Sequence, residues 1–148
     1  MVERQHSLVV SRTFHATPEQ LYRAWTDLDV MRRWMGRRVE ADVRVGGGYR
    51  REVEAGEAGV FVHVGQYEEL VPNRRIVQSF GLEGVAENPF LDEQIAVILE
   101  PSSATETELV LIDRWNGPPL SAREEQEALA AWDEWLGGIE GALEGEGE

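Results

Sequence analysis

Cysteine is absent from the 148 residues. That absence excludes a disulfide framework, a thiolate metal site and a cysteine nucleophile together. Lysine is absent too, so the fourteen Lys-plus-Arg positions are all arginine. Against them stand twenty-eight acids, for a net charge of −14. A field of that sign argues against nucleic acid as a partner, because phosphate binding needs a basic surface. Long apolar runs are missing as well. Nothing approaches the roughly 20 residues of a membrane span, so no membrane partner is expected. Near the start of the chain the one apolar run is Leu8–Val10, closely flanked by charge, and this does not read as a signal peptide. The three histidines are scattered, with none at metal-ligand spacing, so no metal and no cofactor is expected. These readings together predict a soluble, cytoplasmic protein.

What the chain has is a period that changes twice. Residues 7–14, "SLVVSRTF", read as a strand. In "ATPEQLYRAWTDLD" Thr17 is placed to cap a helix, Pro18 takes the first helical position and Gln20 completes a capping box. Leu21 and Trp25, four apart, share a face of that helix. A second short helix is predicted over Val30–Trp34, ending at Gly36. The period then becomes two. Segments 39–45, 48–54, 59–71, 74–82, 93–100 and 107–115 all read as strands separated mostly by short turns, which predicts an antiparallel meander. Ser121 and Glu124 form a second capping box. Leu129, Trp132, Leu136, Ile139 and Leu143 then recur at helical spacing as one apolar stripe. The chain therefore reads as one domain over residues 1–143, with 144–148 an acidic tail expected to fray. A sheet with one apolar face needs a cover, and the last helix is the only element long enough to supply it. Such a cup, closed at one end by the two short helices, suits a small apolar ligand.

Charge is distributed unevenly along this plan. Residues 1–51 carry ten arginines against six acids, whereas residues 52–148 carry four against twenty-two. Seven of the arginines fall in "RRWMGRRVEADVRVGGGYRR", residues 32–51. Its three glycines lack the spacing of a dinucleotide fingerprint and the Lys-Ser/Thr end of a P-loop, and they lead into a strand-like run. They predict a hairpin turn, with positive φ at one of them. Arg32, Arg33, Arg37 and Arg38 flank Trp34. They are expected either to pair with Glu124, Glu125 and Glu127 of the last helix or to form a docking patch for an acidic partner.

The order of these motifs resembles the START-like, or SRPBCC, superfamily and within it the homologues of the heat-shock-protein-90 ATPase activator. The resemblance is carried by the Thr-Pro-capped first helix with its tryptophan and by Trp34-Met35-Gly36. It continues in Gly47-Gly48-Tyr49, in the run from Gly65 to Pro72, and in Trp132 of the last helix. It extends over nearly the whole chain and implies an α+β helix-grip fold, as in Bet v-like proteins: a curved antiparallel sheet of about seven strands wrapped around a long C-terminal helix, with two short N-terminal helices. It also implies a cavity that takes hydrophobic or aromatic molecules, chemistry there in some relatives, and a chaperone partner in others.

On this plan Trp25, Trp34, Tyr49, Phe61, His63, Tyr67, Phe80, Asp113, Trp132 and Trp135 are the candidate lining of a ligand cavity. For the tryptophans the plainer alternative is core packing. For His63 it is a neutral buried histidine with one hydrogen bond. Asp113 extends the apolar face of Leu109 and Leu111. It sits either at the wet end of the sheet or inside, where it needs a partner such as His63, Arg50 or Arg114. The function expected is non-catalytic binding of a small hydrophobic or aromatic molecule. One alternative is a cyclase- or hydrolase-like enzyme using His63 and Asp113, or the Tyr67 hydroxyl, for proton transfer. The other is a stress-related, chaperone-associated interaction module using Arg32–Arg38. A homodimer is expected if outward valines Val60, Val62 and Val64 need cover.

Overall fold

The computed structural model describes residues 5–54, 57, 59–84 and 88–144. The elements run β1 (Gln5–Phe14), α1 (Pro18–Thr26), α2 (Leu28–Trp34), β2 (Arg37–Ala41), β3 (Gly48–Glu54), β4 (Val60–Val71), β5 (Arg75–Ser79), β6 (Gly81–Leu82), β7 (Leu91–Pro101), β8 (Thr107–Asn116) and α3 (Ala122–Glu144). The strands form one antiparallel sheet in the order β1-β8-β7-β5-β4-β3-β2, with the two-residue β6 paired to β4 beside that path. Every strand pairing among the described residues is antiparallel. The α+β plan of an antiparallel sheet, two short helices and one long terminal helix is therefore what the chain adopts.

Local chemistry explains the helix starts. Thr17 Oγ1 accepts the Gln20 amide at 3.1 Å, and the Gln20 side chain accepts the Thr17 amide at 2.9 Å. Ser121 and Glu124 repeat the exchange at the start of α3, at 3.1 and 2.9 Å. Asp27 both ends α1 and caps α2. In the sheet the period-two pattern sorts the faces: along β8, Thr107, Leu109, Leu111, Asp113 and Trp115 are buried while the residues between them are not. One core joins Phe14 of β1, Leu21 and Trp25 of α1, Val30 and Met31 of α2, Ile76, Val97 and Leu111 of the sheet, and Leu136 and Ile139 of α3.

Two local expectations are corrected. The strand predicted over 39–45 stops at Ala41, because the backbone then tightens into a turn: the Arg44 amide donates to Asp42 O and the Gly47 amide to Arg44 O. Val45 faces solvent there. The turn does use its glycines. Gly46 has φ +87°, and a side chain on Gly47 would run into the Asp42 carbonyl, whereas Gly48 has room. The run predicted over 74–82 is broken at Phe80, which separates β5 from β6. The fraying expected at the C-terminus falls mainly on 145–148, outside the described residues.

α3 packs along β1 and against α1 and α2. Arg12 of β1 fastens it there, its guanidinium 3.1 Å from both Asp133 and Glu140.

Candidate functional site

The site forms where α3 leaves the small helices and faces the sheet. Trp25 of α1 and Trp34 of α2 stack edge to face, with centroids 5.1 Å apart. Trp135 of α3 lies 4.6 Å from Trp34, and Trp132, one turn earlier, lies 5.6 Å from Trp135. Trp132 faces Phe80 at 6.0 Å, Phe80 faces His63 at 4.7 Å, and His63 returns to Trp135 at 6.1 Å. Trp135, Trp132, Phe80 and His63 thus close a circuit of rings. All four are half-buried, while Trp25 is fully buried behind them. A pocket of about 310 Å³ opens beside this circuit, with Trp34, Met35, Val53 and Trp135 in its wall and Arg37 and Glu54 also lining it.

The sheet sets the polar groups. β3 and β4 pair so that Tyr49 lies opposite Gly65 and Arg51 opposite His63. Gly65 has to be glycine. A side chain there would meet the Ser79 carbonyl and come within 2.8 Å of the Tyr49 ring, whose hydroxyl donates to Ser79 O at 2.6 Å. Burial pushes the Tyr49 and Tyr67 hydroxyls up to about 12, so both are donors rather than phenolates at neutral pH. Arg51 is only 2% exposed. Its Nε donates to His63 Nδ1 at 3.2 Å, and Nη1 lies 3.8 Å from Met35 Sδ. The guanidinium carbon is 4.9 Å from the Tyr49 ring and 4.8 Å from that of Trp135. Nη2 is buried without a hydrogen-bond partner among the described residues. Burial and the adjacent guanidinium hold His63 down to about 3, so the imidazole is neutral and accepts at Nδ1.

On the far side of the circuit, Trp132 Nε1 donates to Asp113 Oδ2 at 3.3 Å. Asp113 Oδ1 is buried with no donor of its own. The neighbouring Glu93 carboxyl supplies one when it carries a proton. Burial, then the Asp113 carboxyl, raises Glu93 far above its ordinary range; burial raises Asp113 as well, while Glu93 and the Trp132 indole pull it back. The two carboxyls are thus coupled, and burial favours the protonated form of Glu93. Asp113 is inside rather than at a wet end. Its partners are Trp132 and Glu93, not His63, Arg50 or Arg114. His63 is committed to Arg51, so the His63–Asp113 acid–base pairing considered from sequence is not formed.

The remaining candidates divide. Trp25, Trp34, Tyr49, His63, Tyr67, Phe80, Asp113, Trp132 and Trp135 all lie in or behind this cluster. Phe61 continues the face of His63 along β4 but is 39% exposed, outside the circuit. The expected pairing of the arginine patch with Glu124, Glu125 and Glu127 is not formed among the described residues. Arg37 and Arg38 reach Glu52 at 3.2 and 3.8 Å. Arg32 and Arg33 donate to the carbonyls of Val39 and Ala142. Glu124 is occupied in its cap, and Glu127 pairs with Arg123. Sheet pairing brings Glu52 beside β2, opposite Arg37. Arg32, Arg37 and Arg38 also line a second pocket of about 480 Å³.

Sequence reasoning missed Arg51 and Glu93. A signal was there. Counting by two from Tyr49 turns Arg51 inward, and counting back by two from Ile95 turns Glu93 inward. No cluster of three or more His, Asp or Glu residues able to hold a metal occurs among the described residues. No helix there is long and apolar enough to cross a membrane.

A sheet gripping a terminal helix over an aromatic cleft defines a START-like, helix-grip protein. The family model described as "Activator of Hsp90 ATPase homolog 1-like protein" matches residues 15–144, and the chain belongs to that family. A search of curated proteins returns no match. Among solved structures, an uncharacterised protein from Rhizobium leguminosarum is 21% identical with a TM-score of 0.75, covering 95% of both chains. The Aha1 dimer from Colwellia psychrerythraea is 16% identical at a TM-score of 0.68, over 93% of this chain and 96% of that one. An HSP90 activator from Plasmodium falciparum is 22% identical at 0.67, over 93% and 95%. At these identities the likeness is one of fold.

Proposed function

We propose that this chain binds a small aromatic, hydrophobic molecule in the cleft between α3 and the sheet, without turning it over. The observation that carries the reading is the half-buried ring circuit of Trp135, Trp132, Phe80 and His63. Rings packed as pure core are buried as Trp25 is; these four keep part of their surface for something else to cover. His63, already accepting from Arg51 and far below neutral in basicity, is a poor general base, which supports binding over catalysis. The test is native mass spectrometry of freshly purified protein, followed by tryptophan fluorescence titration with aromatic probes. A co-purified molecule or saturable quenching is expected. A protein that arrives empty and leaves every probe unbound would sink the reading.

A second reading rests on the arginine-lined pocket of Arg32, Arg37 and Arg38. Relatives by fold include an HSP90 activator and an Aha1 dimer, and this surface, with Arg33, suits an acidic protein partner such as a chaperone. Co-sedimentation with the chaperone at low and high salt tests it: a complex lost on charge reversal at Arg37 and Arg38 is expected. For a homodimer, exposed Val60 and Phe61 offer apolar surface, while Val62 and Val64 are half-buried.

A further inference from the structure

The two adjacent residues Arg51 and Glu52 sit on opposite faces of β3, and each carries a buried charge. Glu52 on the outer face is answered three times over, by Arg37, Arg38 and Arg50. Arg51 on the inner face meets no carboxylate among the described residues. Its neighbours are an imidazole, a thioether and two rings, and its Nη2 is left empty-handed. A buried guanidinium without a counter-charge is costly, and rings offset only part of that cost. The acids of the same cleft do not answer it: Asp113 is held by Trp132 and Glu93 on the other side of the ring circuit.

From this we infer that the ligand of the cleft is an aromatic acid, whose carboxylate is received by Arg51 and whose ring lies against the circuit of Trp135, Phe80 and Trp132. The inference rests on the ligand-binding reading above and narrows its chemistry. Two features support the placement. Met35 and Trp135, which lean on the guanidinium, are also walls of the 310 Å³ pocket, so the cation lies just behind an opening. The Met35 sulfur is a weak acceptor on a flexible stem, readily displaced by a carboxylate oxygen. Nε stays with His63, and the anion meets the Nη2 edge; a guanidinium suits this because its fork receives a planar carboxylate.

The experiment uses 1-naphthoate and its neutral isostere 1-naphthamide, titrated into the full chain at neutral pH by calorimetry. The ring is the same, so the difference isolates the charge. Naphthoate is expected to bind at least about tenfold tighter, a ratio equivalent to about 1.4 kcal/mol. In Arg51→Gln that preference should vanish, and Arg51→Lys should retain part of it. Equal affinities in the wild type overturn the aromatic-acid inference and leave the binding reading intact. A preference that survives in Arg51→Gln overturns it too, because the anion is then held elsewhere. Failure of both probes overturns this inference, and in protein that also arrives empty it removes the binding reading as well. Since Arg51→Gln is a core substitution, the side-chain Nε–Hε NMR resonance of Arg51 in the wild type gives an independent readout. It should move with naphthoate and not with naphthamide, and a resonance indifferent to both overturns the assignment.

Discussion

The two halves of α3 carry the same apolar stripe and meet different fates. Past Trp135 the helix meets Arg12 of β1 and Arg33 and Trp34 of α2, and Leu136, Ile139 and Ala142 are buried. Before it, Ala128, Leu129 and Trp132 are only half-buried, and the rest of the half is exposed. Spacing therefore shows which face of a helix is apolar, and packing decides how much of that face is core. The closed half anchors the fold. The open half, with Phe80, His63 and Asp113 opposite, is the part left for a ligand.

The widest gap between the halves should appear on truncation. Leu136→Ala removes a fully buried side chain and should cost about 2–5 kcal/mol. Leu129→Ala should cost less than about 1 kcal/mol, because its neighbours can close over a partly solvated position. Urea denaturation of the two variants measures both. Equal losses would mean that the open half is packed as tightly as the closed one.

Titration sharpens the contrast within the open half. His63 is lowered to about 3 from 6.5, so it adds stability above pH 6.5 that is lost as pH falls toward 3. Glu93 is raised above 4.5, so its contribution is full below pH 4.5 and declines as pH rises. Between about pH 4.5 and 6.5 the two slopes oppose, each up to about 1.4 kcal/mol per pH unit. Wild-type stability should then vary less across that window than that of either single variant. His63→Gln should expose a fall with rising pH, and Glu93→Gln a rise. Thermal melts of both variants across the window check the signs; variants that stay as flat as the wild type would contradict the assignment.

The Asp113 contact gives a smaller effect. Trp132→Phe keeps an aromatic ring but removes the donor to Asp113 Oδ2, and should cost about 1–2 kcal/mol at neutral pH. In an Asp113→Asn background the same change should cost less, because no buried carboxylate is then left short of a donor.

Most of the fold was legible because its signals are local. The capping residues Thr17 and Ser121 announce helices, and the alternation in "TELVLIDRW" announces a half-buried strand. The overlong second strand shows the limit: Val43 and Val45 continue an alternating pattern that the Gly46–Gly47 turn cuts short. In the site, ring-bearing residues were legible because aromatics usually pack inward. Arg51 and Glu93 were passed over, because a charged side chain is ordinarily assigned to solvent even where the period of two turns it inward. The partners of Arg37 and Arg38 were missed for a related reason. Strand pairing, which sequence distance does not reveal, carries Glu52 to them.

The smallest effect concerns what holds the two halves in line. Arg12 reaches Asp133 and Glu140, either side of the point where α3 turns from closed to open. Gly137 between them leaves room: a methyl there would sit 3.3 Å from the guanidinium. Both acids are about half-exposed, so water screens the pairs, and Arg12→Ala should cost only about 0–1 kcal/mol. The loss should shrink further in high salt. Its more telling consequence is local. With the fastening gone, hydrogen exchange should quicken at the amides around Trp132 while those around Ile139 keep their protection. Equal acceleration along the whole helix would show that Arg12 supports the fold as a unit, and the division of α3 into an anchored half and an open one would lose its mechanical basis.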